Sequence, residues 1–193
     1  MKKIMFNDRY GLMQAVLEGR KTMTRRIIKG NFKDIKAYHA NGDWHFIADT
    51  KDGDSVEVKP AYEVGETIAI AQAYQTLLWP ALPGINWKAI TDEVTHSKGW
   101  NNKMFVKAEY MPHRIRITGI KVERLQDIRE EDCLREGIKK MEEGVPYRFD
   151  DNEKIHLSAD LRMLFEDLID RISGRGTWQR NPWVYAYTFE LIK

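Results

Sequence analysis

The chain has little cysteine, no long apolar run and almost no net charge, and each shortage closes off a class of function. Its 193 residues include a single cysteine, Cys133. That excludes an internal disulfide and a cysteine-built zinc cluster, and it suits a reducing cytoplasm. No stretch approaches the roughly 20 apolar residues of a membrane-spanning helix, and the opening MKKIMFNDRY carries no apolar signal-peptide core. The expectation is a cytoplasmic protein with no membrane partner. A formal charge of +2 makes no global case for nucleic acid, so any such case rests on local clustering. The G-x-S-x-G elbow, the glycine-rich phosphate loop and G-x-G-x-x-G are all missing. His39, His45, His96, His113 and His156 fall at no ligand spacing, so neither a metal nor a cofactor is expected.

What remains is an ordinary globular composition, 42% hydrophobic, long enough for one domain over residues 1–193. Ile4 to Phe6 reads as a short buried strand. Asn7 or Asp8 is placed to cap a helix whose apolar face is Leu12, Ala15 and Val16, with Gly19 as its left-handed terminator. A strand follows around Arg25 to Ile28. Asn41-Gly42 and Asp52-Gly53 are two-residue hairpin turns, and Thr67 to Ile70 reads as a strand behind Gly65. Residues 75–103 hold Trp79, Trp87 and Trp100 without a clean period, a long excursion. Strands are expected at 104–110 and 114–125, a short helix over 128–138 closed by Gly137, and polar loop over 139–157. An amphipathic helix then runs from Ser158 to Gly174, and the last element, NPWVYAYTFELIK, is a strand suited to the middle of a sheet. Turns join most of the strands. The fold class expected is therefore α+β, a mainly antiparallel or mixed β-barrel with about three peripheral helices and extra segments near 35–60 and 75–103.

One stretch concentrates chemistry. Gly19 to Lys29 holds Arg20, Lys21, Arg25, Arg26 and Lys29 with no acid among them. A solvated basic turn has this composition. So does a site, because Thr22 and Thr24 interleave the cations, and residues 22, 24 and 26 share a face if the segment is extended. Like charges around Lys21 disfavour its protonated form, which prepares a lysine to act as a base when it is buried. Cys133, beside Leu134 on a helix, reads as a buried structural thiol rather than a nucleophile.

Gly19-Arg20-Lys21-Thr22-Met23-Thr24-Arg25-Arg26 resembles the G-x-K-x-x-x-x-R motif of the ASCH domain family, whose fold is a PUA-like β-barrel. YEVGETIAI, YMP (110–112), VERLQDI, EEDCLREGI and GTWQRNPWVYAYTFE resemble later segments of the longer bacterial and phage members. The resemblance implies a chemistry, since small members of the family are amidohydrolases that deacetylate the exocyclic amine of acetylcytidine. Carried over by motif, the catalytic set is Lys21, Thr24 and Glu136, with Glu130 or Glu131 in the third place if the register differs. In that scheme Thr24 is the nucleophile, Lys21 takes its proton and Glu136 protonates the leaving amine. Arg26 or Arg20 would stabilise an oxyanion or hold a phosphate. Ala71-Gln72 departs from the arginine and glutamate that longer relatives often carry after the corresponding strand. A second reading is a non-catalytic module binding a modified nucleoside or RNA through Arg20, Thr22, Arg25, Arg26, Arg114 and Arg116. Lys139, Lys140, Arg175 and Arg180 would extend the groove, and tryptophans would stack on bases, although Trp178 and Trp183 read better as structural anchors. Ribonuclease activity ranks last, for want of an acid–base pair.

Overall fold

The computed structural model describes residues 1–77 and 94–192. In chain order it contains β1 (Lys3–Ile4), α1 (Leu12–Leu17), β2 (Met23–Ile27), β3 (Phe32–Ala40), β4 (Asp43–Thr50), β5 (Ser55–Glu57), β6 (Thr67–Ile70) and α2 (Tyr74–Leu77). There follow β7 (Arg114–Arg124), α3 (Glu130–Arg135), β8 (Lys139–Lys140), β9 (Tyr147–Asp150), β10 (Ile155–Ser158), α4 (Leu161–Ser173), α5 (Thr177–Arg180) and β11 (Trp183–Ile192).

The aromatic, β-branched run of β11 takes the central position its composition predicts. It pairs antiparallel with β7 on one side and β2 on the other. β7 pairs antiparallel with β6, and β6 pairs parallel with β1. The result is a mixed five-stranded sheet in the order β1-β6-β7-β11-β2. Alternation along β7 exposes Arg114 and Arg116 and buries Ile115 and Ile117. Two three-stranded sheets, β3-β4-β5 and β10-β9-β8, complete the strands. The α+β class with mixed and antiparallel sheets is present, but among the described residues no ladder closes the sheets into a barrel.

Both hairpins form, but only the first on a two-residue turn. Asn41 at φ 53° and Gly42 at φ 89° supply its left-handed pair, whereas the second closes over residues 51–53, with the Thr50 N–H donating to the Asp54 carbonyl and Gly53 alone left-handed at φ 96°. Gly19 terminates α1 at φ 75°. In α4, Asp160 caps by accepting from the Met163 N–H at 3.0 Å. Its Leu164, Phe165 and Leu168 enter the main core beside Ile4, Phe6 and Tyr187, each worth roughly 1.5–3 kcal/mol when fully buried. Among the described residues no helix is long and apolar enough to cross a membrane.

Three local expectations fail. Neither Asn7 nor Asp8 caps α1. Their carbonyls accept from Leu12 and Gly11 in an extra turn, and the helix starts from Gly11 at φ 62°. Residues 104–110 form two 3-10 turns, Lys103–Phe105 and Ala108–Tyr110, instead of a strand. The backbone there is satisfied locally and by the Lys3 ammonium, which donates to the carbonyls of Lys103, Met104 and Val106. Residues 139–157 hold β8, β9 and β10, where loop was expected. Their pattern is too short and polar to announce itself, and only Phe149 among the residues of those strands is fully buried. Trp79 and Trp87 lie outside the described residues.

Candidate active site at the free edge of β2

Edge position decides what β2 can offer. The Ile28 N–H donates to the Trp183 carbonyl and the Phe189 N–H to the Thr22 carbonyl. Strand alternation therefore turns the backbone groups of Thr22, Thr24, Arg26 and Ile28 toward β11, and those of Met23, Arg25 and Ile27 toward the free edge. The other edge of the sheet arrives at the same place. Met5, Phe6 and Asn7, directly after β1, line a recess with Thr24, Arg25, Arg26 and Ile27 of β2. The Arg26 Nη2 spans this seam and donates to the Met5 carbonyl at 2.6 Å.

The recess has a volume of about 230 Å³. Leu12, Ile169 and Ile172 give it apolar walls, and Lys21 and Glu136 stand at its base. An outer cleft of about 410 Å³ shares Met5, Phe6, Asn7, Arg26 and Ile172 with it and adds Asp8, Arg9 and Lys103.

Lys21 is 2% exposed. Its Nζ donates to the Glu136 carboxylate at 2.7 Å, to the Glu136 carbonyl at 2.7 Å and to the Met23 carbonyl at 2.8 Å. The ring of Phe6 lies 5.8 Å from the same nitrogen. Burial pushes the Lys21 pKa down, Glu136 resists, and Arg26 and Arg25 add to the fall; the net direction is downward. Thr24 is buried, lines the recess, and its hydroxyl has no hydrogen-bond partner among the described residues.

Beneath them lies a buried ion cluster. Arg25 donates to Glu123 at 2.9 Å, to Glu136 at 3.0 Å and to Asp132 at 3.3 Å. Burial opposes the charge of Arg25, but Glu136 and Glu123 outweigh it and raise its pKa. Lys121 joins Glu123 and Asp132, and Arg135 joins Asp132. The register explains the meeting: Arg25 and Lys121 both face Ala186 across the sheet, and α3 with its C-cap Glu136 lays Asp132 and Glu136 over that face.

The sequence candidates therefore separate. Lys21, Thr24, Glu136, Arg25 and Arg26 come together, while Glu130 and Glu131 point to solvent. Thr22 turns away from the recess to accept from Arg135 at 3.2 Å. Arg20 pairs with Glu18 outside it. Arg114 and Arg116 stand at the start of β7, remote from the recess lining, with Arg116 near Glu190. Lys139 pairs with Asp150, and Arg180 donates to Thr177. The expected basic groove does not assemble at the recess. Trp178 is buried against Phe165, as an anchor should be. Cys133 is buried, and its thiol is pushed up to about 12 by that burial, which holds it protonated.

Sequence reasoning missed Glu123, Asp132, Lys121 and Arg135. A usable signal was present, since Asp132 and Glu136 lie four apart on one helix face. The wall from Met5 to Asn7 had none. No family model, curated protein or solved structure matches this chain.

Proposed function

We propose that the chain is an ASCH-type amidohydrolase that removes an acyl group from the exocyclic amine of a modified nucleoside such as N4-acetylcytidine. The observation that carries this reading is the buried Lys21, whose proton affinity is lowered by its setting, in one recess with an unpartnered Thr24 hydroxyl.

The chemistry runs through this chain's own groups. In its neutral form Lys21 keeps two of its three hydrogen bonds, turns its lone pair toward Thr24 and takes the Thr24 proton as Oγ attacks the acyl carbon. The Arg25 backbone N–H, directed at the free edge, donates to the oxyanion. Lys21 returns the proton to the amine nitrogen as the C–N bond breaks. Water then cleaves the acyl–Thr24 ester with Lys21 again as base, releasing the carboxylic acid. Glu136 accepts from both Lys21 and Arg25 through its two oxygens, an arrangement suited to orienting the lysine; the leaving amine is better served by Lys21 than by Glu136. The PUA-like barrel belongs to the same proposal. Its support is the way the two edges of the mixed sheet approach each other at the recess, bridged by Arg26 and Met5.

A non-catalytic RNA-binding role draws on a different feature, the exposed Tyr38 and Trp44 near the β3–β4 turn, stacked on His45 and set edge-on to His39. Ribonuclease activity gains nothing, because no histidine lines the recess.

The test is hydrolysis of N4-acetylcytidine followed by absorbance, comparing the parent with Lys21→Ala and Thr24→Ala. The reading expects turnover by the parent and a loss of roughly a thousandfold or more in either variant. A parent that binds nucleoside without turning it over would transfer the assignment to the binding module.

A further inference from the structure

We infer that the site takes its nucleoside with a phosphate attached, and that Arg26 is the residue that selects for it. The inference rests on the reading of the recess as a nucleobase site.

The cations around the two cavities are almost all spoken for. Lys21 is matched by Glu136, Arg25 by Glu123, Asp132 and Glu136, Lys103 by Asp8, and Arg9 by Asp151 and Glu153. Arg26 is the exception: among the described residues it meets no carboxylate, and its one hydrogen bond goes to the Met5 carbonyl. The rest of its planar fork of donors has no protein acceptor among the described residues. The side chain is half-buried and lines both the recess and the outer cleft, so it stands at their junction.

Size places the phosphate there. At about 230 Å³ the recess falls below the roughly 300–1,000 Å³ typical of small-molecule sites. It has room for a base with its acyl group, and the ribose must extend into the outer cleft. A phosphate on that ribose then lies in the outer cleft, whose lining includes Arg26, and a guanidinium there can grip two of its oxygens. The carboxylate of Asp8 also lies in the cleft but is held by Lys103 at 2.7 Å.

The experiment is calorimetric titration of the parent, Arg26→Gln and Arg26→Lys with cytidine, cytidine 5′-monophosphate and a short single-stranded oligoribonucleotide containing one cytidine. The parent should bind a phosphorylated ligand about 10- to 100-fold more tightly than cytidine. Arg26→Gln should abolish that preference, and Arg26→Lys should retain part of it. Preference for the monophosphate identifies a mononucleotide, and preference for the oligomer alone identifies a phosphodiester; either supports the inference. Equal binding of cytidine and both phosphorylated ligands by the parent would overturn it, as would an undiminished preference in Arg26→Gln. If no nucleoside or nucleotide binds, the nucleobase reading fails separately, and methyl phosphate followed by phosphorus NMR decides the subsite. Binding by the parent that Arg26→Gln loses keeps it, and no binding by the parent removes it.

Discussion

Replacing Glu136 by Gln tests the buried ion cluster with little change of shape. Glu136 accepts from Lys21 through one oxygen and from Arg25 through the other, at 2.7 and 3.0 Å. The amide keeps one acceptor and turns an NH2 toward a cation, leaving a buried charge without its counter-ion. Removing one partner of a buried pair costs about 3–5 kcal/mol, and in a domain of this size each kcal/mol moves Tm by about 2–4 °C. The expected fall is therefore about 6–20 °C, read by circular dichroism melts. Its pH dependence has a definite sign. The folded-state pKa of Lys21 already lies below the ordinary 10.5, and loss of Glu136 lowers it further. Between the folded value and 10.5 the unfolded chain holds the extra proton, so stability rises with pH across that window. The variant gains more from that rise than the parent, and the gap in Tm should narrow as pH rises through the window below 10.5. A loss below about 2 °C, or a gap that widens with pH, would refute the assignment of this pair as a buried, coupled charge contact.

Two further outcomes follow from burial and capping. Cys133, with its thiol pushed up to about 12, should resist iodoacetamide in the native protein and react on unfolding; stoichiometric native labelling, read by mass spectrometry, would contradict its burial. Asp160→Ala removes the acceptor for the Met163 N–H and should destabilise α4 by about 0.5–2 kcal/mol, measured as the urea midpoint at unchanged slope.

What the sequence disclosed depended on whether a signal was local. Asn41-Gly42, Gly19 and Gly137 act through backbone freedom, and each terminates or turns an element as expected. β7 and β11 were legible from alternation and aromatic content. The 3-10 turns at 103–110 were not, because Lys3, 100 residues before Lys103 in the chain, reaches across to hold their carbonyls. In the same way Lys21, Thr24 and Arg26 were visible as a motif, but the burial of Lys21 depends on α1, Phe6 and α3 meeting around it. Arg25 shows the limit most clearly. Beside Arg26 in sequence, it turns to the opposite face and is absorbed by three carboxylates, while Arg26 meets no carboxylate among the described residues. Strand parity separates two residues that composition cannot.

The ion cluster under β2 also has a parity of its own. Arg25, Lys121 and Arg135 balance Glu123, Asp132 and Glu136 through their contacts, so the set is neutral when Lys21 carries no proton and one charge positive when it does. A proton arriving at Lys21 thus adds one positive charge to the set. An oxyanion forming as that proton arrives would leave the total unchanged, so the reaction would separate charge within the site without adding any to the protein interior.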